Sequence, residues 1–165
     1  MGLPRPAPPL LIRLARTDDA PRIAQWSRDL IETGLGWRWT ARRVAGAVAA
    51  AGTCTIVAES GAIRTGFAIM EFRDEHAHLS LLAVDPEYQA QGIGRALVGW
   101  LEASARTAGI GTVALEVRAT NAIARRFYAG LGYRELFLMP GYYAGREAAL
   151  RLVHDVRRLT PESTG

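Results

Sequence analysis

The chain has 165 residues, 49% hydrophobic and 22% charged, with a net charge of +4, values that suit one soluble domain built on one core and exclude a disordered or fibrous chain. No apolar run approaches the roughly 18 residues of a membrane-spanning helix. The N-terminal apolar run is short and broken by proline, unlike a signal peptide, and the single Cys54 allows no internal disulfide, so a cytoplasmic protein without a membrane partner is expected. All 20 basic residues are arginines, scattered apart from Arg42–Arg43, Arg125–Arg126 and Arg157–Arg158. That scatter argues against a dedicated nucleic-acid stripe and leaves compositional bias or a phosphorylated small molecule as its reason.

Residues 1–9 hold four prolines and read as a loose arm. Leu10 to Ala15 reads as a strand. Thr17 can cap a helix whose first turn carries Asp18 and Asp19, favoured by the helix dipole. Ile23, Trp26, Leu30 and Ile31 then give one apolar face at helical spacing. Thr40 caps a second helix, with Val44, Ala47, Val48 and Ala51 inward and Gly52 ending it. Two strands follow, Cys54–Glu59 and Ala62–Phe72, joined by Ser60-Gly61, a pair suited to a hairpin turn. A further strand runs from His76 to Val84. The third helix spans Gly92 to Ala108, with Ile93, Leu97, Trp100 and Leu101 inward and Gly109 stopping it. Thr112–Arg118 is a strand, Thr120 or Asn121 starts a fourth helix ending at Gly130 or Gly132, and strands follow at Tyr133–Leu138 and Glu147–Val156. Thr160 to Gly165 is polar and expected to fray. The order has no repeat and no linker, and predicts a single domain over 1–165 with a mixed sheet and helices on both faces.

The most informative stretch is Leu81 to Gly94, LLAVDPEYQAQGIG. A buried strand ends at Val84, and a loop delivers Gly92 and Gly94 to a helix start. Glycines let a ligand approach the backbone, and helix-start N–H groups point at anions with the dipole behind them. The stretch lacks the Gly-Lys-Ser/Thr ending of a nucleotide P-loop and has shorter glycine spacing than a dinucleotide fingerprint.

Gln89-x-x-Gly92-x-Gly94, preceded by Leu-Ala-Val-Asp-Pro, resembles the coenzyme A pyrophosphate loop of the GNAT acetyltransferase superfamily. The likeness continues through LEVRATNAIARRFYAGLGY, residues 115–133, and GYYAGREAAL, residues 141–150, and covers about residues 76–150. Its second half resembles the bacterial ribosomal-protein alanine N-acetyltransferases. The resemblance implies an α/β fold with a GNAT-type mixed, mostly antiparallel central sheet flanked by helices on both faces. It also implies acetyl-CoA as co-substrate, with no metal. Leu82, Ala83 and Val84 would run along pantetheine. Gln91, Gly92, Ile93, Gly94, Arg95 and Ala96 would hold the pyrophosphate through backbone N–H groups. The family often has Arg where this chain has Gln89, and Arg95 can supply the missing cation. Asn121 falls at the family position for a coenzyme A hydrogen bond and also suits a helix N-cap.

Acetyl transfer to an amine needs an acceptor for the ammonium proton, N–H donors for the tetrahedral intermediate and an acid for the departing thiolate. By the same resemblance Glu116 matches the general base of the alanine enzymes; a salt bridge to Arg118 or another arginine is the alternative for a carboxylate in an apolar strand. Tyr128, seven residues after Asn121, matches the acid, although Ala124, Phe127, Tyr128 and Leu131 also form one helical packing face. His78 is a third candidate, because histone-type members carry their base on this strand; its alternative is a sheet-surface histidine. His76-x-His78 lacks a clear third ligand for a metal. Cys54 reads as a small core residue.

The acceptor is less legible. The resemblance and the chemistry point to the N-terminal α-amine of a protein or peptide, since an α-amine of pKa about 8 is easier to deprotonate than a lysine of about 10.4. Gly34-Leu35-Gly36-Trp37-Arg38-Trp39 differs from the alanine enzymes, and Trp37, Trp39, Tyr142 and Tyr143 either flank a peptide or close the fold. A small-molecule amine acceptor, and a coenzyme A-binding sensor without turnover, are the competing readings. A monomer or homodimer fits either.

Overall fold

The computed structural model of the chain describes residues 2–4 and 8–157. The expected arm at 1–9 lies partly outside these residues, and the expected frayed tail at 160–165 wholly so. The strands are β1 (Leu10–Leu14), β2 (Thr53–Ser60), β3 (Ile63–Phe72), β4 (Ala77–Val84), β5 (Thr112–Arg118), β6 (Arg134–Tyr143) and β7 (Glu147–Asp155). The α-helices are α1 (Ala20–Trp26), α2 (Ala41–Ala49), α3 (Ile93–Thr107) and α4 (Ala122–Gly130). The strands hydrogen-bond in the order β1-β2-β3-β4-β5-β7-β6. β1–β2, β5–β7 and β6–β7 are antiparallel, and β4–β5 is parallel. This is the mixed, mostly antiparallel sheet expected from the sequence.

The local signals explain the boundaries. Thr40 caps α2 by accepting from the Arg43 N–H at 3.4 Å, and Asn121 caps α4 by accepting from Ala124 at 3.0 Å. Gly109, at φ +78, ends α3 in the left-handed conformation that glycine tolerates. Several expectations are corrected. Thr17 does not cap a helix but opens a 3₁₀ turn at Thr17–Asp19, and α2 stops at Ala49, which leaves Ala51 exposed rather than inward. Leu30 is 37% exposed rather than inward, because α1 runs into a π-helical turn at Ser27–Ile31, in which Glu32 N–H reaches back five residues to Ser27. The wider turn rotates Leu30 out and leaves Ile31 packed on the core. β6 also runs five residues beyond the expected Leu138, through Pro140-Gly141 to Tyr143. That dipeptide reads as a turn, but β6 is an edge strand, where a missing ladder donor is tolerated; register irregularities fall at Glu135/Phe137 and Met139/Tyr143.

The chain divides into two compact units, one of residues up to Ile69 with Leu81–Trp100, the other of Met70–Ser80 with Leu101 onward. In the first, Ile23, Ala24 and Trp26 of α1 and Val44 of α2 pack with Val57, Phe67, Ile69, Leu81 and Ala83. The Trp26 and Phe67 rings stack with centroids 6.0 Å apart. Strand residues of the opposite parity face the other way: a Cβ on Gly66 would lie 3.4 Å from Leu97 of α3. Helices therefore cover both faces of the strands within this unit. In the second unit the buried residues include Leu101 and Ala105 of α3, Val113 and Leu115 of β5, and Ala149 and Leu152 of β7.

Asp19, expected to favour a helix dipole, instead lies fully buried under two arginines. Arg13 forks onto both its oxygens at 2.8 and 3.0 Å and also reaches Glu59, and Arg64 lies 2.7 Å away. The Arg16 N–H donates to it at 2.7 Å. Burial alone would raise the Asp19 pKa; the hydrogen bonds from Arg13 and Arg16 and the two positive charges outweigh it and hold it at about 2, below an ordinary 3.8. A depressed carboxylate contributes stability that is present above its unfolded value and is lost as pH falls through its folded value. Asp19 therefore accounts for about 2 kcal/mol lost between about pH 4 and pH 2. Urea unfolding of Asp19→Asn should show a loss of about 3–5 kcal/mol at pH 7, from unpaired buried charge, and a flatter stability profile below pH 4. A variant profile parallel to the native one below pH 4 would refute this assignment.

Candidate active site

In the first unit, burial alternates strictly along β4, so Leu81 and Ala83 point into the core and Leu82 and Val84 toward the more open face. Gly66 is required here, since a Cβ on it would meet the Ala83 carbonyl oxygen at 2.8 Å and the Val84 Cα at 3.3 Å. After Val84 the chain is tied down by Asp85. Its N–H donates to Thr65, and its carboxylate accepts from the Glu87 N–H at 3.0 Å, Arg22 at 2.9 Å and the Trp26 indole at 3.2 Å. The Arg22 guanidinium also lies 4.5 Å over the Trp26 ring. Gln89 is exposed, and its side chain donates to the Val84 carbonyl at 3.1 Å, which braces the loop.

The loop then takes left-handed conformations at Ala90, φ 61, and Gly92, φ 81. Beyond the Gly92 Cα there is open space, with no atom within 4 Å of where a Cβ would sit. Ile93 is buried and fixes the start of α3, while Arg95 is exposed. The Ala96 N–H is bonded to Gly92; those of Ile93, Gly94 and Arg95 come before it, at the helix start, where no intrahelical acceptor exists. Free N–H groups at the start of a 15-residue helix, beside an unfilled glycine and an exposed arginine, fit a pyrophosphate.

In the second unit, three strands bring charge to one face. Ala114 of β5 lies opposite His78 of β4, so Glu116, two residues on, shares that face. Arg151 of β7 lies opposite Glu116. The side chains meet accordingly: Glu116 Oε2 is 2.6 Å from His78 Nε2, and Glu116 Oε1 accepts from Arg151. His78 Nδ1 is 3.1 Å from the Ser80 hydroxyl. Burial pushes the Glu116 pKa up, but the hydrogen bonds and charges of His78 and Arg151 outweigh it and hold it below the usual carboxylate range. Glu116 and His78, weighed above as separate candidates, are thus one hydrogen-bonded pair. The salt-bridge alternative is also realised, to Arg151; Arg118 pairs with Glu147 at 3.1 Å.

Tyr128 lies on α4 and is buried. Burial, its largest influence, pushes its phenol well above the ordinary range, so the hydroxyl stays protonated. Its ring meets Tyr133 edge to face at 5.4 Å, and its carbonyl accepts from the Tyr133 N–H at 3.0 Å. The Tyr133 hydroxyl in turn donates to Glu102 at 3.0 Å. Asn121 spends its side-chain oxygen on capping α4, which leaves its amide NH₂ for a ligand.

The Trp37–Trp39 loop, in the first unit, is pinned at several points. The Trp37 indole donates to the Ala24 carbonyl at 3.2 Å, and the Arg43 guanidinium lies 3.9 Å over Trp39. Glu32 accepts the N–H groups of Arg38 and Trp39. In the second unit the Tyr142 and Tyr143 rings meet edge to face at 4.9 Å. Sequence reasoning missed Ser80, Asp85 and Arg151. Only the Asp-Pro pair at a strand end offered a signal, for Asp85. Among the described residues no group of three or more His, Cys, Asp or Glu side chains could hold a metal ion, and no helix is long and apolar enough to cross a membrane.

Among curated proteins, the [ribosomal protein bS18]-alanine N-acetyltransferase of Escherichia coli is 44% identical over 87 residues, 51% of this chain and 59% of that protein. An uncharacterized N-acetyltransferase of Methanocaldococcus jannaschii is 37% identical over 101 residues, 61% of this chain and 65% of that protein. The chain thus matches less than two thirds of the length of these relatives. Among solved structures, the ribosomal-protein-S18-alanine N-acetyltransferase of Escherichia coli superposes with a TM-score of 0.76 at 29% identity, over 94% of this chain and 99% of that one. The acetyltransferase (GNAT) family model matches residues 12–133, and the chain, with its seven-stranded mixed sheet and glycine loop at the start of α3, belongs to the GNAT family of acetyl-CoA-dependent acyltransferases.

Proposed function

We propose that the protein transfers the acetyl group of acetyl-CoA to the N-terminal α-amine of a protein or peptide, by direct attack through a tetrahedral intermediate. The observation that carries this reading is the His78–Glu116–Arg151 cluster. The imidazole held on the ionised Glu116 offers a lone pair for a proton of the amine, and an α-amine of pKa about 8 gives up that proton more readily than a lysine of about 10.4. The relatives named for acetylating an alanine of a ribosomal protein support the choice of acceptor.

The resemblance to the family supplies the residue roles. Gln91, Gly92, Ile93, Gly94, Arg95 and Ala96 hold the pyrophosphate by backbone N–H groups and the charge of Arg95, Leu82–Val84 offer main-chain groups to pantetheine, and the Asn121 amide adds a donor. Gln89 holds the loop. The attacking nitrogen loses two protons overall: one goes to the His78–Glu116 pair, and the other restores the O–H bond of Tyr128, whose own proton has gone to the leaving sulfur. Because burial keeps that hydroxyl protonated, Tyr128 acts as donor and not as base.

Three measurements test this reading. Gly94→Glu puts bulk and like charge at the helix start, and calorimetry should show acetyl-CoA affinity lowered at least about 10²-fold in a folded variant; undiminished binding removes the site assignment. Tyr128→Phe should lower kcat by about 10²–10⁴-fold, the usual worth of positioned proton transfer, with acetyl-CoA affinity within about twofold; a kcat within twofold of native makes Tyr128 a packing residue. The acceptor is tested by competition among short peptides with free N-termini, N-blocked peptides containing lysine, and a panel of polyamines, amino acids and aminoglycosides. The free N-termini should have the highest kcat/KM. A higher value for any small amine or blocked peptide overturns the acceptor assignment, and tight acetyl-CoA binding without turnover of any amine identifies a sensor.

A further inference from the structure

We propose that Ser80 is a further catalytic residue: its hydroxyl relays the proton of the acceptor amine to Nδ1 of His78, while Glu116 and Arg151 are positioning residues that fix the imidazole. This rests on the acetyltransferase reading above and assigns the proton path that reading leaves open between Glu116 and His78.

Both oxygens of Glu116 are engaged, one by the permanent cation of Arg151 and one by His78. A carboxylate so held is a poor destination for a proton. His78 has the better lone pair, and the geometry decides which of its nitrogens carries it. Nε2 faces an ionised carboxylate, which can only accept, so Nε2 bears the hydrogen of the neutral ring. Nδ1 is then the acceptor, and its neighbour at 3.1 Å is the Ser80 hydroxyl, which must donate to it. The next group toward Nδ1 is Glu71 of β3, at 4.0 Å, itself paired with Arg73. His78 and Ser80 are two residues apart on β4, so the strand period puts both on the half-buried face.

The step balances. An N–H bond of the ammonium breaks as an O–H bond forms on Ser80. The original Ser80 O–H bond breaks as an N–H bond forms at Nδ1 of His78. The products are a neutral amine, an unchanged serine and an imidazolium whose Nε2–H rests on Glu116. The charged and titratable groups around that imidazolium are Glu116 on β5, Arg151 on β7, Glu71 on β3, and Arg73 and His76 in the turn between β3 and β4. Tyr142 and Tyr143 on β6 lie close enough to feel the Glu116 charge.

The test uses the full chain and needs two readouts. In protein labelled with ¹⁵N-histidine, the ring shifts of neutral His78 should report the Nε2–H tautomer, and Ser80→Ala should move the Nδ1 resonance. This readout requires no acceptor, so it stands even if the chain acetylates nothing; an Nδ1–H tautomer overturns the relay. In acetyl transfer, Ser80→Ala should lower kcat at least about 10-fold with KM for acetyl-CoA within twofold, and Ser80→Thr, which keeps a hydroxyl, should restore kcat to within about threefold of native. Glu116→Gln should keep the acidic limb of the kcat/KM profile, because the proton goes to His78 and not to the carboxylate. A Ser80→Ala enzyme within twofold of native, a Ser80→Thr enzyme no better than Ser80→Ala, or loss of the limb in Glu116→Gln each overturns the proposal. A native chain with the Nε2–H tautomer but no activity on any amine overturns the acetyltransferase reading instead.

Discussion

An ionised carboxylate cannot sit on an interior strand without partners, and Glu116 is such a carboxylate, flanked in sequence by the buried Leu115 and Val117. Its partners come from both neighbouring strands. β7 lies antiparallel beside β5 and sets Arg151 directly across; β4 runs parallel on the other side and aligns His78 two positions back. Cross-strand register thus converts a destabilising burial into a polarised cluster whose imidazole can take a proton. Structural compensation of the carboxylate therefore also fixes the orientation of the imidazole.

Acidic residues play a second role in the first unit, where they hold the fold's own backbone and side chains. Asp85 clamps the end of β4 to α1 through Arg22 and Trp26, which sets where the glycine loop begins. Glu32 gathers the N–H groups of the Trp37–Trp39 loop. Asp19 bridges the start of the first helical segment to β1 and β3 through Arg13 and Arg64. The all-arginine basic set suits this work. A planar guanidinium can fork onto one carboxylate while reaching another, as Arg13 does, or sit over an indole ring, as Arg22 and Arg43 do. Much of the positive charge that the composition left open between bias and an anionic partner is therefore spent inside the fold, while Arg95 stays exposed at the helix start where an anion fits.

The sequence by itself determined the features whose physics is local. Thr40 and Asn121 cap helices because their side chains reach N–H groups three residues on, and Gly109 ends a helix because only the left-handed region lets the chain leave there. β5 could be bounded at Thr112 and Arg118 from its apolar run alone, and Gly92 and Gly94, on either side of Ile93, marked the helix start where the backbone is open to a ligand. Where a non-local constraint acted, local reading failed: a π turn rotated Leu30 outward, and an edge position let β6 run through Pro140.

Tertiary structure decided what Glu116, His78, Arg151 and Ser80 are to one another. From the sequence, Glu116 and His78 were rival bases 38 residues apart, Arg151 was one arginine among twenty and Ser80 carried no signal. Their meeting depends on which strands neighbour each other, in which direction and in which register. A shift of one residue in a strand turns every side chain to the opposite face, so no property of the separate segments could specify it. Residue type was written in the chain; proximity came from the hydrogen-bonded ladders of β4, β5 and β7.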